Sequence, residues 1–251
     1  MKKVLLLCAV VLTFAAPSAH AALNLSWNDC FGNAGALPTI SFDCAAGGPY
    51  KLIGSFQTLG AVTNAFAMDV TLDFNLEGQT SLPPFWHFES GGCNETGLGL
   101  SIDRSASGTC ATGNSTMWGP AGTLGTGFLT GYSTGVNGPN RGRQNLSIAR
   151  DATSPVNVAG PPTKYYAFTL SFFMDNSVQN GSGNNCIGCP NPVDIVWNKM
   201  ILYNTTGAPA NELTCLDTGS MCCASANGGG AQCTATPARA RTWGAVKSLY
   251  R

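Results

Sequence analysis

The sequence predicts an all-β protein: a single β-sandwich or jelly-roll-like domain with long glycine-rich loops, a disulfide-stapled tail and a short C-terminal helix. Two observations predict the class. Apolar and polar residues alternate with period 2 in several runs, and no helical periodicity comes between those runs, as an α/β fold would require. The 31 glycines and 14 prolines break the chain into short segments, the punctuation of a sandwich. A third observation, an export signal followed by ten cysteines, places the domain in an oxidising compartment.

Residues 1–21 read as a cleavable signal peptide. Lys2 and Lys3 form a basic start, Val4 to Ala16 is apolar, and Ala19-His20-Ala21 fits the small-x-small cleavage pattern ahead of Ala22. The apolar run is shorter than the roughly 20 residues a spanning helix needs, so it is no membrane anchor, and no later segment is suited to crossing. Cleavage removes two of the 13 basic side chains and leaves 11 against 13 acidic ones. That balance offers nothing to nucleic acid. Charged residues make up only 10% of the chain, so the expected surface is neutral and hydrogen-bonding.

The sandwich domain is expected over 22–206. Met68, Val70, Leu72, Phe74 and Leu76 alternate with Asp69, Thr71, Asp73 and Asn75, which predicts a half-buried strand over 67–76. Tyr166, Phe168, Leu170, Phe172 and Met174 predict a second over 165–175, and a β-branched and aromatic run predicts a third over 193–203. Weaker strands are expected at 50–59, 97–103, 124–132 and 144–149. Fourteen glycines between Gly91 and Gly142 predict long surface loops there.

Residues 207–237 are poor in apolar side chains and rich in cysteine, so they read as an extension held by cross-links rather than by packing. Thr242 caps a predicted short helix within 238–251, with Trp243, Val246, Leu249 and Tyr250 on one face. That segment either docks on the sandwich or serves as a sorting tag.

The cysteines after the leader are Cys30, Cys44, Cys93, Cys110, Cys186, Cys189, Cys215, Cys222, Cys223 and Cys233, an even set that predicts five disulfides. Adjacent Cys222 and Cys223 are too close to bond each other, because their Cα atoms lie only about 3.8 Å apart. They are expected to pair with Cys215 and Cys233, in either order. Proximity in sequence predicts Cys186–Cys189, Cys30–Cys44 and Cys93–Cys110. A zinc site on Cys186-Ile187-Gly188-Cys189 is disfavoured by the oxidising compartment and the lack of a histidine partner.

The opening Leu23-Asn24-Leu25-Ser26-Trp27-Asn28-Asp29-Cys30, the Cys186-Ile187-Gly188-Cys189 loop and the ending Thr242-Trp243-Gly244-Ala245-Val246-Lys247-Ser248-Leu249-Tyr250-Arg251 resemble a group of secreted, cysteine-rich bacterial proteins. The resemblance implies export and a shared sorting end. It implies no activity and no catalytic residue.

No catalytic constellation emerges. Gly131-Tyr132-Ser133-Thr134-Gly135 matches the nucleophile-elbow pattern, but no helix follows it and His87 lies upstream, so the match reads as chance. Asp73 to Gly78 resembles the start of a calcium loop, yet Pro84 stands where the bidentate glutamate belongs. No cofactor is implied, and a structural calcium ion on other Asp and Asn side chains stays open. Glu89, Glu95 and Asp103 could supply a glycosidase carboxylate pair only if the fold brings two of them together.

The rings offer more: Trp86, Trp118 and Tyr132, set among prolines and glycines, are candidate stacking platforms for a ligand. The first functional reading is therefore a non-enzymatic structural or adhesive surface protein, secreted or held at the cell surface, with self-association open. The alternative is an extracellular glycan- or peptide-binding sandwich, with glycans or surface proteins as partners. A glycoside hydrolase-like enzyme is the third.

Overall fold

The computed structural model describes residues 22–106, 110, 114–119, 122–215 and 221–229. The expected signal peptide, the C-terminal helix and Cys233 lie outside the described residues. Within them, thirteen strands follow in chain order: β1 (Ala22–Trp27), β2 (Thr39–Ile40), β3 (Tyr50–Gln57), β4 (Val62–Leu76), β5 (Leu98–Ser101), β6 (Ser115–Thr116), β7 (Gly125–Thr134), β8 (Arg141–Arg150), β9 (Val156–Val158), β10 (Tyr165–Phe172), β11 (Val193–Asn204), β12 (Pro209–Thr214) and β13 (Cys223–Ala226). The helical elements among them are single 3₁₀ turns at Pro84–Trp86 and Arg104–Ala106. None could cross a membrane.

The strands form two sheets, as the alternation predicts. The smaller runs β1-β3-β10-β5, with β6 beside β10; the larger runs β2-β13-β11-β4-β8-β7, with β12 on β11 and β9 on β4. At the centre of the large sheet β4 and β11 pair antiparallel over most of their length, so Leu72 lies opposite Trp197 and Phe74 opposite Ile195. These side chains share a face and meet the small sheet, whose inward residues include Leu23, Leu25, Trp27, Leu52, Phe56, Phe168, Leu170 and Phe172. The packing is close enough to demand a glycine: a Cβ at Gly54 would come within 2.4 Å of the Phe168 ring. Rings dominate one end of the core, where Phe42, Phe74, Trp86 and Phe88 surround Phe172 at centroid distances of 5.9–6.4 Å.

β1 was not singled out as a strand, although Leu23, Leu25 and Trp27 alternate with Asn24 and Ser26. The reading of 207–237 as an appended, poorly packed segment is corrected for its described part. β12 and β13 both pair with β11, and Leu213, Ala224 and Ala226 are buried. Short side chains suffice there because the neighbouring strands already supply the large ones.

The disulfide pairings are corrected too. Cys30 bonds Cys110, Cys44 bonds Cys189 and Cys93 bonds Cys186; of the pairs expected in the tail, Cys215–Cys222 forms. Cys223 is disulfide-bonded as well. Nearness in sequence misleads because the cost of closing a loop grows only logarithmically with its length, so contact in the fold decides. The excursion over 177–192 between β10 and β11 is instead tied to two other loops. Cys189 ties it to the loop at Cys44, and Cys186 ties it to the loop at Cys93. Asn176 reinforces the join by donating to Asn94 Oδ1 at 3.0 Å, and Asn184 by donating to the Cys93 carbonyl at 2.9 Å.

Candidate binding face

The three rings proposed as platforms are elsewhere. Trp86 and Trp118 are fully buried. The Trp86 indole N–H donates to the Gly188 carbonyl at 2.9 Å, and that of Trp118 to the Ala167 carbonyl at 2.7 Å. Tyr132 lies on the inward side of β7, edge-on to Phe88 with centroids 5.3 Å apart. Its hydroxyl is buried, and burial, aided by the Glu89 charge, pushes its ionisation far above the ordinary tyrosine range. The fold uses these rings as core and does not gather them on one exposed surface. Proline and glycine neighbours suggested turns, and turns are present, but they fold the rings inward.

The candidate carboxylates are each engaged locally. Glu89 Oε1 meets His87 Nδ1 at 2.6 Å, while His87 Nε2 lies 3.1 Å from the Leu82 carbonyl. Glu95 Oε2 accepts the Gly91 N–H at 3.0 Å, and Asp103 Oδ1 accepts the Ser105 N–H at 2.8 Å. Ser133 belongs to β7 and so has no strand-turn-helix setting. Among the described residues no group of three or more His, Cys, Asp or Glu is placed to hold a metal ion.

The two sheets differ in what covers them. On the small sheet the side away from the core is buried as well: Asn24, Ser26, Ser55, Tyr166 and Thr169 are all inaccessible. The Tyr166 hydroxyl there donates to the Ser101 carbonyl at 3.0 Å. The large sheet keeps one open side. Burial alternates along β8, with Gln144, Leu146 and Ile148 inward and Arg143, Asn145 and Ser147 outward.

Those outward residues meet the polar positions of β4 in rows. Ser147 faces Asp69, Asn145 faces Thr71 and Arg143 faces Asp73. Each row closes a hydrogen bond. Ser147 Oγ donates to Asp69 Oδ1 at 2.7 Å, and Tyr203 from β11 donates to Asp69 Oδ2 at 3.0 Å. Thr71 donates to Asn145 at 3.2 Å. Arg143 grips Asp73 with two bonds, of 2.6 and 2.9 Å, and Asn198 adds a third at 2.8 Å. Lys199 and Glu212 pair at 2.7 Å on the flank.

The charges tune one another. The bond to Asp73 holds the Arg143 guanidinium more firmly protonated than an isolated arginine. Partial burial, then Asp69, raises Tyr203 above the usual phenol range. Ile201, opposite Asp69, and Phe128, opposite Ser147, add apolar surface to the same side. The result is a broad surface of cross-linked polar side chains held on a stiff sheet. The available signal was the polar half of the β4 alternation and the matching alternation of Arg143, Asn145 and Ser147 in β8.

No family model matches the chain, and no curated protein matches it. Among solved structures, the second type II cohesin module of the adaptor ScaA scaffoldin of Acetivibrio cellulolyticus is similar over 80% of this chain and 91% of its own, at 9% identity and a TM-score of 0.31. The type II cohesin dyad of the same scaffoldin is similar over 82% of this chain and 48% of its own, at 10% identity and a TM-score of 0.31.

Proposed function

We propose that this protein is an exported, non-enzymatic recognition module that binds another extracytoplasmic protein through the open face of its large sheet. The observation that carries the reading is the row-by-row pairing of Asp69, Thr71, Asp73, Arg143, Asn145, Ser147, Asn198 and Tyr203. Side chains already fixed by their neighbours lose little further freedom when a partner covers them, so such a face is preorganised for a broad, flat interface. A glycan site asks instead for exposed stacking rings and unpaired polar groups, and the rings in question are in the core. The disulfides fit an oxidising compartment.

The test is a binding screen of extracytoplasmic proteins, run beside a glycan array, with the native protein and an Asn145→Arg/Ile201→Arg variant. The expected result is a protein ligand whose affinity falls at least about tenfold in the variant, a loss of about 1.4 kcal/mol. Glycan binding, or a protein ligand held equally by both forms, would overturn the reading.

A further inference from the structure

The last strand of the large sheet offers a second kind of contact. β7 is hydrogen-bonded to β8 on one side and, among the described residues, to no strand on the other. Proteins guard long edges with charge, proline, bulges or shortness, because an unpaired edge is a template for another strand. The edges at the other ends of the two sheet paths are guarded. β2 has two residues and β5 four, and β1 is capped where its Leu25 N–H donates to the Met221 carbonyl at 2.8 Å.

β7 runs for ten residues with neither a charge nor a proline. Next to and within it, Leu124, Phe128 and Leu129 are 50%, 59% and 38% exposed. Its one guard is an irregularity between Leu129 and Gly131, which leaves Gly125 to Leu129 regular.

We infer that β7 pairs antiparallel with β7 of a second copy of this chain, about a twofold axis at Gly127. The strand's own sequence names the occupant. In that register Phe128 stands opposite Thr126 of the second copy, an aromatic and β-branched pair of the kind that stabilises antiparallel strands. Leu129 stands opposite Gly125, and Leu124 opposite Thr130, so each large side chain meets a smaller one.

On the inward side Leu100 and Ile102 already pack against the strand: a Cβ at Gly127 would lie 3.0 Å from Leu100 and 3.1 Å from Ile102, so glycine is needed there and the edge has an apolar border for Leu129 of the second copy. The strand is neutral and meets no repulsion from itself, whereas a charged peptide would find no counter-charge along it. A twofold contact of this type closes at two copies rather than growing into a fibre. It stands independently of the open-face reading, and pairing would lay the two open faces side by side.

The test is sedimentation velocity on the intact protein from about 1 μM to about 1 mM, a range that spans weak to moderate association. Three forms are compared: native, Leu59→Lys as an exposed control outside β7, and Thr126→Lys/Phe128→Lys. Native and control proteins should pass from monomer to dimer. The double variant should need at least about a hundredfold more protein, since like charges set face to face cost several kcal/mol. Hydrogen exchange on the native protein reads the same contact without any substitution, as added protection in the dimer of those amides within 126–129 that point away from β8. A native protein that stays monomeric, a dimer that leaves those amides unprotected, or a folded double variant that dimerises equally well would each overturn the inference.

Discussion

Removing Cys44–Cys189 should cost the fold far more than removing Cys215–Cys222, although both pairs are bonds of one kind. The first closes a loop with a sequence separation of 145, the second one of 7. Cys93–Cys186 stays intact in the variant and already shortens the path from Cys44 to Cys189 to about 52 residues, so loop-closure entropy assigns about 4 kcal/mol to the long bridge and about 2.5 kcal/mol to the short one. Packing widens the gap, since Cys44 and Cys189 are both buried and Cys189 Sγ lies 3.5 Å from Met174 Sδ, whereas Cys215 is half-exposed. Small domains are stable by only about 5–15 kcal/mol in total, so loss of the long bridge brings the protein close to unfolding. The assay is equilibrium urea unfolding of Cys44→Ala/Cys189→Ala and Cys215→Ala/Cys222→Ala under oxidising conditions, followed by tryptophan fluorescence. A gap of about 2 kcal/mol or more is expected, with a steeper denaturant dependence for the long-bridge variant because its unfolded chain expands further. Equal losses, or a larger loss at Cys215–Cys222, would refute the entropic reasoning.

Gly54→Ala places a methyl group 2.4 Å from the Phe168 ring and should destabilise by about 1–3 kcal/mol, with part of the loss recovered by Phe168→Leu in a thermal melt. Asp73→Ala deprives Arg143 and Asn198 of their shared acceptor and should cost about 2–3 kcal/mol in urea unfolding. Asp194 is buried against the Glu77 carboxyl; burial first, then that neighbour, lifts its pKa from 3.8 to about 7. A folded pKa above the unfolded one means the protonated form is favoured by folding. Its contribution is therefore complete below about pH 4 and is lost as pH rises through about 7. Stability should fall between about pH 4 and about pH 7 in the native protein, and Asp194→Asn should flatten that fall; an unchanged slope would clear Asp194 of the effect.

Legibility in the sequence followed local physics. The β4 alternation, the Tyr165–Phe172 run and the Val193–Asn204 run announce themselves because side chains on a half-buried strand must alternate or stay apolar. β13 did not, because Cys-Ala-Ser-Ala carries almost no hydrophobic signal and is buried by its position beside β11. The disulfides were readable as a set but not as pairs, since Cys93 and Cys186 meet only when two loops far apart in sequence share one end of the sandwich. The rings failed for a related reason. Trp86 sits in a 3₁₀ turn after two prolines, a setting that suggests exposure, yet the turn aims it at Phe42 and Phe172. The open face was half legible: its residues were visible as polar positions, but their hydrogen-bonded rows depend on the register of β4 with β8.

The Cys44–Cys189 bridge also governs how this body would behave under load. Pulled apart at Ala22 and Gly229, a chain without cross-links would unravel through every strand in turn. Here tension entering along β1 reaches Cys44 and passes directly to Cys189, so the intervening loop, with its separation of 145, carries none of it. The stretch between Cys215 and Cys222 is bypassed in the same way. Only the segments on either side can lengthen, so β3 through β10 lie off the force path while β11, between Cys189 and Cys215, lies on it. The molecule would act as a short tether in which β11 bears the load and the strands behind the bridge stay slack.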